Sequence, residues 1–376
     1  MEDRIRFGVI GLGMMGREFA SVSSRWIHLE DSIPRPEIIG ICSASEKSQA
    51  WFTKRIPGLT CTTTHYHELL KRKDVDAIYV AVPHNLHEQI CIDVLRAGKH
   101  LICEKPFGID KAANEAILQE MKKHPTLLVR CATQMIYFPG AKMVLDWFRE
   151  EKFGRILQIK AGFKHSSDID QMKPIGWKRR VETNGAYGVM GDLGPHALLL
   201  PLRAGVKIHS VFARLSNIIT ERMNADGCYV ACDTWDNALL LAEASRGEDE
   251  FPMALEFARI APGSPNQWYI EVYGMKASIR YDTENANVVY AAEMNGKDQA
   301  WTRHELGYTS VYPTITTGLA AFGFGDALLQ MWAAYCDEWQ GNVPRESCMT
   351  PSETHDCHKV FDGALRAQNE RRMVAL

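Results

Sequence analysis

The chain has 376 residues, with 43 basic side chains against 46 acidic ones and a formal net charge of −3. That length is more than one small core serves and suits two domains. The near balance of charge, with no polybasic block, argues against a nucleic-acid or anionic-membrane partner. The chain opens Met1-Glu2-Asp3-Arg4 and enters an apolar run at once, so no signal peptide and a cytoplasmic location are expected.

The first apolar run, Ile5–Ile10, reads as a strand, and it leads straight into Gly11-Leu12-Gly13-Met14-Met15-Gly16. This is a G-x-G-x-x-G that follows a strand and opens a helix. In that setting Gly11 allows the tight turn, Gly13 lets backbone approach a pyrophosphate, and Gly16 lets helix and strand pack closely. The helix N-terminus offers its N–H groups to the phosphates. Further strands are expected at Glu37–Cys42, Leu59–Thr62, Ala77–Val82, His100–Cys103 and Leu127–Cys131. Helices fit between them at Met15–Arg25, Tyr66–Arg72, Leu86–Ala97 and Lys111–Lys123. Apolar strands alternating with helices imply a parallel sheet covered on both faces. Residues 1–131 are expected to form a doubly wound dinucleotide-binding domain.

Beyond residue 131 the texture changes. A helix at Ala141–Glu151 precedes strand-like segments at Arg155–Phe163, Val206–Leu215, Asn237–Ala244, Met253–Ala258, Trp268–Tyr273, Ala277–Tyr281 and Asn287–Ala291. Their turn-separated pattern suits an antiparallel sheet. The apolar stretch Gly318–Cys336 is interrupted by Asp326 and Gln330. It therefore reads as a buried helix, Ala327–Trp339, with Asp326 as N-cap, rather than a membrane span. Thr354–Arg372 closes the chain as a helix. Residues 132–376 are expected to form an α+β domain with one large open, mostly antiparallel sheet, whose uncovered face favours a homo-oligomer. Of the ten cysteines, Cys42, Cys91, Cys103 and Cys131 lie in or beside apolar elements, where cysteine acts as a small core residue. Cys228/Cys232 and Cys357-His358 lack the companions that a zinc site needs, so no metal is expected.

Ligands of doubly wound sheets bind outside the carboxyl ends of the strands. Val82-Pro83-His84-Asn85-Leu86-His87 and Cys103-Glu104-Lys105-Pro106 fall there, and Gly191-Asp192-Leu193-Gly194-Pro195-His196 follows in the second domain. The N-terminal glycines, the AGKH-x-x-x-EKP run at Ala97–Pro106 and the GDLGPH run at 191–196 stand in that order at suitable spacing. Together they resemble the glucose–fructose oxidoreductase / inositol dehydrogenase (Gfo/Idh/MocA) family, over both domains. The resemblance implies a Rossmann domain plus an open-sheet domain, oxidation or reduction of sugars and cyclic polyols, and a cis Lys105–Pro106 bond.

Carried over residue by residue, the resemblance makes Lys105, Asp192 and His196 the catalytic group. The chemistry is coherent: oxidising a secondary alcohol needs a base for the hydroxyl proton, and histidine titrates near working pH. Asp192, four residues before His196, shares its face if a helix runs there. Lys105 would donate to the reacting oxygen. Cofactor contacts are expected from Gly11, Gly13, Met14, Met15, Gly16, Ser43, Lys47, Pro83, Glu104 and Lys105. Asn85 and His87 either flank the ligands or cap the helix. Trp177-Lys178 resembles a family Trp-Arg pair that touches the cofactor, with lysine in place of arginine. His165 and Asp168, after a strand, suit substrate contact or a solvated loop; Lys105, Asp192 and His196 would also touch substrate. Ser43 stands where an NAD site usually carries an acid, so NAD is the expected cofactor with NADP left open.

The expected activity is NAD(P)-dependent hydride transfer at a secondary ring hydroxyl of a sugar, glycoside or cyclic polyol, with C3 one position for it. A redox-neutral NAD-dependent glycosidase and a non-catalytic sugar or dinucleotide sensor are the alternatives. No tyrosine has a lysine four residues on, which sets aside a short-chain dehydrogenase.

Overall fold

The computed structural model describes residues 3–297 and 299–376; Met1 and Glu2, part of the start from which no leader was expected, and Asp298 lie outside them. The backbone divides into two compact units. One comprises Met1–Gln134 with Ser310–Thr317 and Gly323–Thr354; the other comprises Met135–Thr309 with Gly318–Phe322 and His355–Leu376.

The first unit is built on six parallel strands: β1 (Arg4–Ile10), β2 (Arg35–Cys42), β3 (Cys61–Thr63), β4 (Ala77–Val80), β5 (His100–Glu104) and β6 (Val129–Ala132). Their order is β3-β2-β1-β4-β5-β6, so the winding reverses between β1 and β4, where such sheets bind ligands. The helices between them are α1 (Met14–Ser24), α2 (Glu46–Thr53), α3 (Tyr66–Leu70), α4 (His87–Arg96) and α5 (Lys111–Met121). Helix α2 was not expected, because Ser43–Lys47 reads as a ribose loop. Ser45 in fact caps the helix, its Oγ accepting from Ser48 N at 3.4 Å.

The six strands at the N-terminus do not complete this unit's core. Further helices arise at α6 (Pro139–Arg149), α7 (Val181–Asn184), α8 (Val189–Arg203), α9 (Phe324–Trp339) and α10 (Pro351–Glu370). Of these, α9 joins the first unit: its Trp332 stacks on Phe19 of α1 at 3.8 Å and meets Phe7 and Tyr79 edge-on at 5.6 and 4.9 Å. The apolar run expected as a buried helix is buried for this reason. Its start differs from expectation. Gly323 is the N-cap, and Asp326 sits in the first turn, where its carboxylate accepts from Gly323 N at 2.9 Å and pairs with Arg25 at 2.7 Å. A third-position acid reaches back to the N-cap amide as well as a capping side chain reaches forward.

The second unit is built on β7 (Ile156–His165), β8 (Lys207–Ser216), β11 (Asn237–Arg246), β12 (Asp249–Ala258), β13 (Asn266–Gly274), β14 (Ala277–Asp282), β15 (Val288–Glu293), β16 (Thr302–Glu305) and β17 (Val374–Ala375), while β9 (Glu221–Met223) and β10 (Tyr229–Ala231) form a separate hairpin. The large sheet runs β16-β15-β14-β13-β7-β12-β11-β8-β17. Its pairs are antiparallel except β7 with β12, where Ala258 lies beside Lys164. That parallel pair brings two carboxyl ends, His165 and Arg259, to the same edge. Helix α8 packs closely on α10 because Gly194 has no side chain; a Cβ there would stand 2.5 Å from the Phe361 ring. Along β11 the buried Ala238, Leu240, Ala242 and Ala244 alternate with the outward Leu239, Leu241 and Glu243. This is the period-two pattern of a sheet covered on one face.

Candidate active site

In the first unit the glycine turn follows β1. Gly11 adopts φ +100° and donates its N–H to Cys42 O at 3.0 Å. A Cβ on Gly11 would lie 2.2 Å from Ala81 O, and one on Gly16 would lie 2.5 Å from Gly11 O. Gly13 is different: a Cβ there would meet no atom within 4 Å. Two glycines are thus required by the protein's own backbone, while the third keeps open the space in front of the α1 N-terminus. No side chain caps that terminus, so its N–H groups face this space. The arrangement fits a dinucleotide pyrophosphate. Met14 is exposed and Met15 half-buried beside the turn. Ser43, half-buried at the end of β2, accepts from Ser45 N at 3.2 Å, and Lys47 is exposed on the first turn of α2.

The β4 and β5 ends supply the other expected contacts. Pro83 is half-buried and Asn85 exposed in the turn before α4. His87 is fully buried, with Nε2 at 3.1 Å from Val82 O and Nδ1 accepting from Gly108 N at 3.5 Å. Its imidazole thus ties the loop after β4 to the turn after β5. Glu104 is buried and accepts from the Tyr79 hydroxyl at 2.7 Å. Lys105 is half-buried, and the Lys105–Pro106 bond is cis, as the resemblance implies. The turn after it is fixed by Asn114, fully buried, whose Nδ2 donates to Phe107 O at 3.0 Å and to Thr354 Oγ1 at 3.1 Å. Sequence reasoning missed Asn114; a polar side chain on the inward face of α5 was the available signal.

In the second unit Asp192 and His196 lie one turn apart on α8 and share a face. Both are buried. Asp192 stands in the first turn of α8, where the helix dipole favours an anion. The Lys178 ammonium reaches both its oxygens, at 2.7 and 2.8 Å, and lies 5.7 Å over the exposed Trp177 ring. Lys178 was expected at the cofactor; in this unit it is bound to Asp192. The His196 ring meets Phe163 edge-on at 5.5 Å, and its carbonyl accepts from Trp268 Nε1 at 2.9 Å.

Beneath this pair lies a buried set of charges that sequence reasoning did not find. Arg259, 1% exposed, has Nη2 at 3.9 Å from Asp192 Oδ2 and Nη1 at 3.9 Å from Asp168 Oδ2. Asp168 also accepts from Lys173 at 2.7 Å and faces Arg179 at 3.9 Å, while Arg179 pairs with the buried Asp236. Burial pushes the Asp168 carboxyl up, but the Lys173, Arg259 and Arg179 charges outweigh it and hold it below the usual range. Asp168 is therefore bound within this set, whereas His165, half-buried at the end of β7, remains at its edge. Burial is the main cause that pushes His165 down to about 4; Asp192 opposes the shift, and Lys178 and Arg259 add to it. Among the described residues no group of three or more His, Cys, Asp or Glu is placed to hold a metal ion, and no helix is long and apolar enough to cross a membrane.

Residues 5–130 match the oxidoreductase family with an NAD-binding Rossmann fold, GFO/IDH/MocA, and residues 142–280 match the C-terminal domain of the same family. The chain is 24% identical to a levoglucosan dehydrogenase of Pseudarthrobacter phenanthrenivorans over 322 residues, 82% of this chain and 80% of that one. It is 26% identical to glycosyl hydrolase family 109 protein 1 of Phocaeicola vulgatus, over 58% of this chain and 47% of that one. A solved structure of levoglucosan dehydrogenase in complex with NADH has the same fold, with a TM-score of 0.88 at 20% identity over 99% of both chains.

Two predictions follow from the two halves. Gly13→Val should leave the melting temperature unchanged yet weaken NAD⁺ binding by at least about tenfold, ~1.4 kcal/mol. Gly16→Val should instead destabilise the fold by about 1–3 kcal/mol; calorimetry and fluorescence titration separate the two, and unaltered affinity in Gly13→Val would remove the pyrophosphate assignment. For His165, the folded value lies below the ordinary one near 6.5. The unfolded chain then binds more protons between the two values, so stability falls as pH drops from about 6.5 to about 4 and is unaffected above. His165→Gln should flatten that decline in denaturant titrations, and an NMR midpoint near 6.5 for His165 would contradict it.

Proposed function

Since the chain belongs to the GFO/IDH/MocA family of NAD-binding oxidoreductases, we propose that it transfers a hydride between nicotinamide and a secondary ring hydroxyl of a sugar, glycoside or cyclic polyol. The observation that carries this reading is the placement of Asp192 and His196 on one face of α8, with the carboxylate held by Lys178. A bound NAD⁺ supplies the hydride acceptor at nicotinamide C4. The chain's own residues do the rest. His196 takes the hydroxyl proton at Nε2, since Nδ1 is buried within the unit. Lys105 donates to the reacting oxygen and stabilises its alkoxide character. Asp192 accepts from a neighbouring substrate hydroxyl, and the exposed Trp177 ring offers an apolar face of the kind sugar rings stack on. The reverse reaction returns the proton from His196. C3 of a pyranose is the carbon we assign for oxidation, and product analysis tests it.

We further assign the uncovered face of the large sheet to self-association. Leu239 and Leu241 of β11 are more than half exposed and Phe212 of β8 is 37% exposed; Leu241 and Phe212 are register neighbours. Beside them, Lys160–Glu271 and Lys164–Glu256 pair across strands at 3.5 and 3.8 Å. An apolar centre rimmed by paired charges suits a second copy of the same face. The ten cysteines, all free thiols, suit a reducing cytoplasm.

Turnover with NAD⁺ and NADP⁺ against free sugars, cyclitols and aryl glycosides is the primary test. Lys105→Ala and His196→Ala should each bind the dinucleotide normally and lose turnover by about 10²–10⁴-fold; wild-type rates in either would overturn the assignment. Release of aglycone without net cofactor reduction would favour the glycosidase alternative, which the partial likeness to the Phocaeicola protein supports. Light scattering should show an oligomer that Leu239→Lys/Leu241→Lys dissociates, and a monomeric wild type would refute the sheet-face assignment.

A further inference from the structure

Asp192 is buried, yet the cation closest to it is half-exposed. The Lys178 side chain is 42% exposed, and its ammonium occupies both carboxylate oxygens. If Asp192 is to accept a substrate hydroxyl, as the function proposed above requires, Lys178 must yield at least one oxygen. A buried carboxylate that loses its partner is costly unless a second positive charge stands by. Arg259 is that charge. It sits one residue past β12, where the parallel pairing with β7 delivers it beneath α8. Its position is fixed from several sides: its N–H donates to Asp236 O at 3.0 Å, its own carbonyl accepts from Asp168 N at 3.4 Å, and Nη1 donates to Lys178 O at 2.9 Å.

The rest of the guanidinium is uncommitted. Nε and Nη2 are buried and make no hydrogen bond with the described residues, while Nη2 points across 3.9 Å to Asp192 Oδ2. That gap is too wide for a hydrogen bond and short enough for strong charge attraction. Other charges on this side are already engaged: Lys173 and Arg179 on Asp168 and Asp236, and Arg222 on the Asp168, Asp170 and Lys173 carbonyls.

We propose that Arg259 is the positioning residue of Asp192: its buried guanidinium is the fixed counter-charge that holds the carboxylate in place when substrate displaces the half-exposed Lys178 ammonium. Arg259 touches no substrate atom; it acts through Asp192. Lys178 is the exchangeable partner and Arg259 the permanent one.

A double-mutant cycle tests this, with kcat and sugar KM measured on the NAD⁺-loaded protein and NAD⁺ affinity measured separately. Arg259→Met should lower kcat/KM for the sugar by at least about tenfold, the scale of a lost charge-assisted contact. Arg259→Lys, which keeps the charge, should recover part of that loss, and NAD⁺ affinity should stay constant in every variant. In the Asp192→Asn background, Arg259→Met should add less than about a twofold further change, because the group it serves is already neutral. An equal loss in both backgrounds would reveal a merely structural residue and overturn the proposal, as would wild-type kcat/KM in Arg259→Met. Should Arg259→Met fail to fold, the same cycle run with Arg259→Gln, which also removes the charge, gives the same discrimination. If Asp192→Asn itself turns over like wild type, the proposed function fails first and this inference with it. If Asp192→Asn is impaired while Arg259→Met is not, this inference alone fails.

Discussion

The second unit depends on the burial of one carboxylate. Asp192 lies in the first turn of a helix whose residues from Val189 to Pro201 are all buried, and a buried carboxylate left without a counter-charge is strongly destabilising. Much of the local architecture serves that constraint. The first turn of α8 supplies dipole, the short turn at Trp177–Arg179 supplies Lys178, and the single parallel strand pair in the sheet supplies Arg259. Arg259 in turn needs acids of its own. Burial holds the Arg259 guanidinium below its ordinary value, and Asp192 and Asp168 oppose that shift. The chain of compensation then passes through Asp168 to Lys173 and Arg179, and from Arg179 to Asp236, whose Oδ2 accepts from Ile218 N and Ile219 N at 2.6 and 2.9 Å. The set is closed mainly by backbone and buried charges, and its half-exposed members are two lysines, Lys178 on Asp192 and Lys173 on Asp168.

The first unit solves a different problem, that of placing one lysine at a strand end. Lys105 follows β5 directly, and the turn beyond it contains Phe107 at φ +66° and Gly108 at φ +115°. Such a turn holds its shape only if its polar groups are tied down. His87 and Asn114 do this from α4 and α5 with fully buried side chains, while Tyr79 steadies the adjacent Glu104 from the neighbouring strand. The rigid frame around Lys105 is thus built by side chains from α4, α5 and β4.

The legible parts of the sequence were those governed by local periodicity and by motifs that stay contiguous. The strand Ile5–Ile10 and its glycine turn announce the parallel sheet, and β1 spans Arg4–Ile10. The alternation along 237–244 announces the open sheet. Asp192 and His196 share a face because helical spacing places them there. What stayed hidden was set by distant parts of the chain. Arg259 is an ordinary residue at the end of an unremarkable strand, and only the parallel pairing of β7 with β12, formed across some ninety residues, gives it a role. Trp332 belongs to the first unit's core although it lies two hundred residues beyond that sheet. The N-cap was placed at Asp326, three residues past Gly323, because an acid at the N-cap and an acid at the third helical position leave similar local sequences.

His165 illustrates how burial set by distant parts of the chain determines the chemistry of a visible residue. By type, a histidine near a strand end reads as a group that titrates close to neutrality. Here burial, aided by Lys178 and Arg259, pushes it down to about 4, so at neutral pH it is an uncharged imidazole. Its Nδ1 accepts from Ser167 N at 3.3 Å, which places the proton on Nε2 and makes the ring a hydrogen-bond donor. A neutral donor at His165, beside a compensated Asp192, is suited to uncharged hydroxyl groups. His196 lies against Phe163 on the same side of the sheet, and under the function proposed above it is the imidazole for proton transfer. Burial, more than any neighbouring charge, thus sets His165 apart from an ordinary histidine at a strand end.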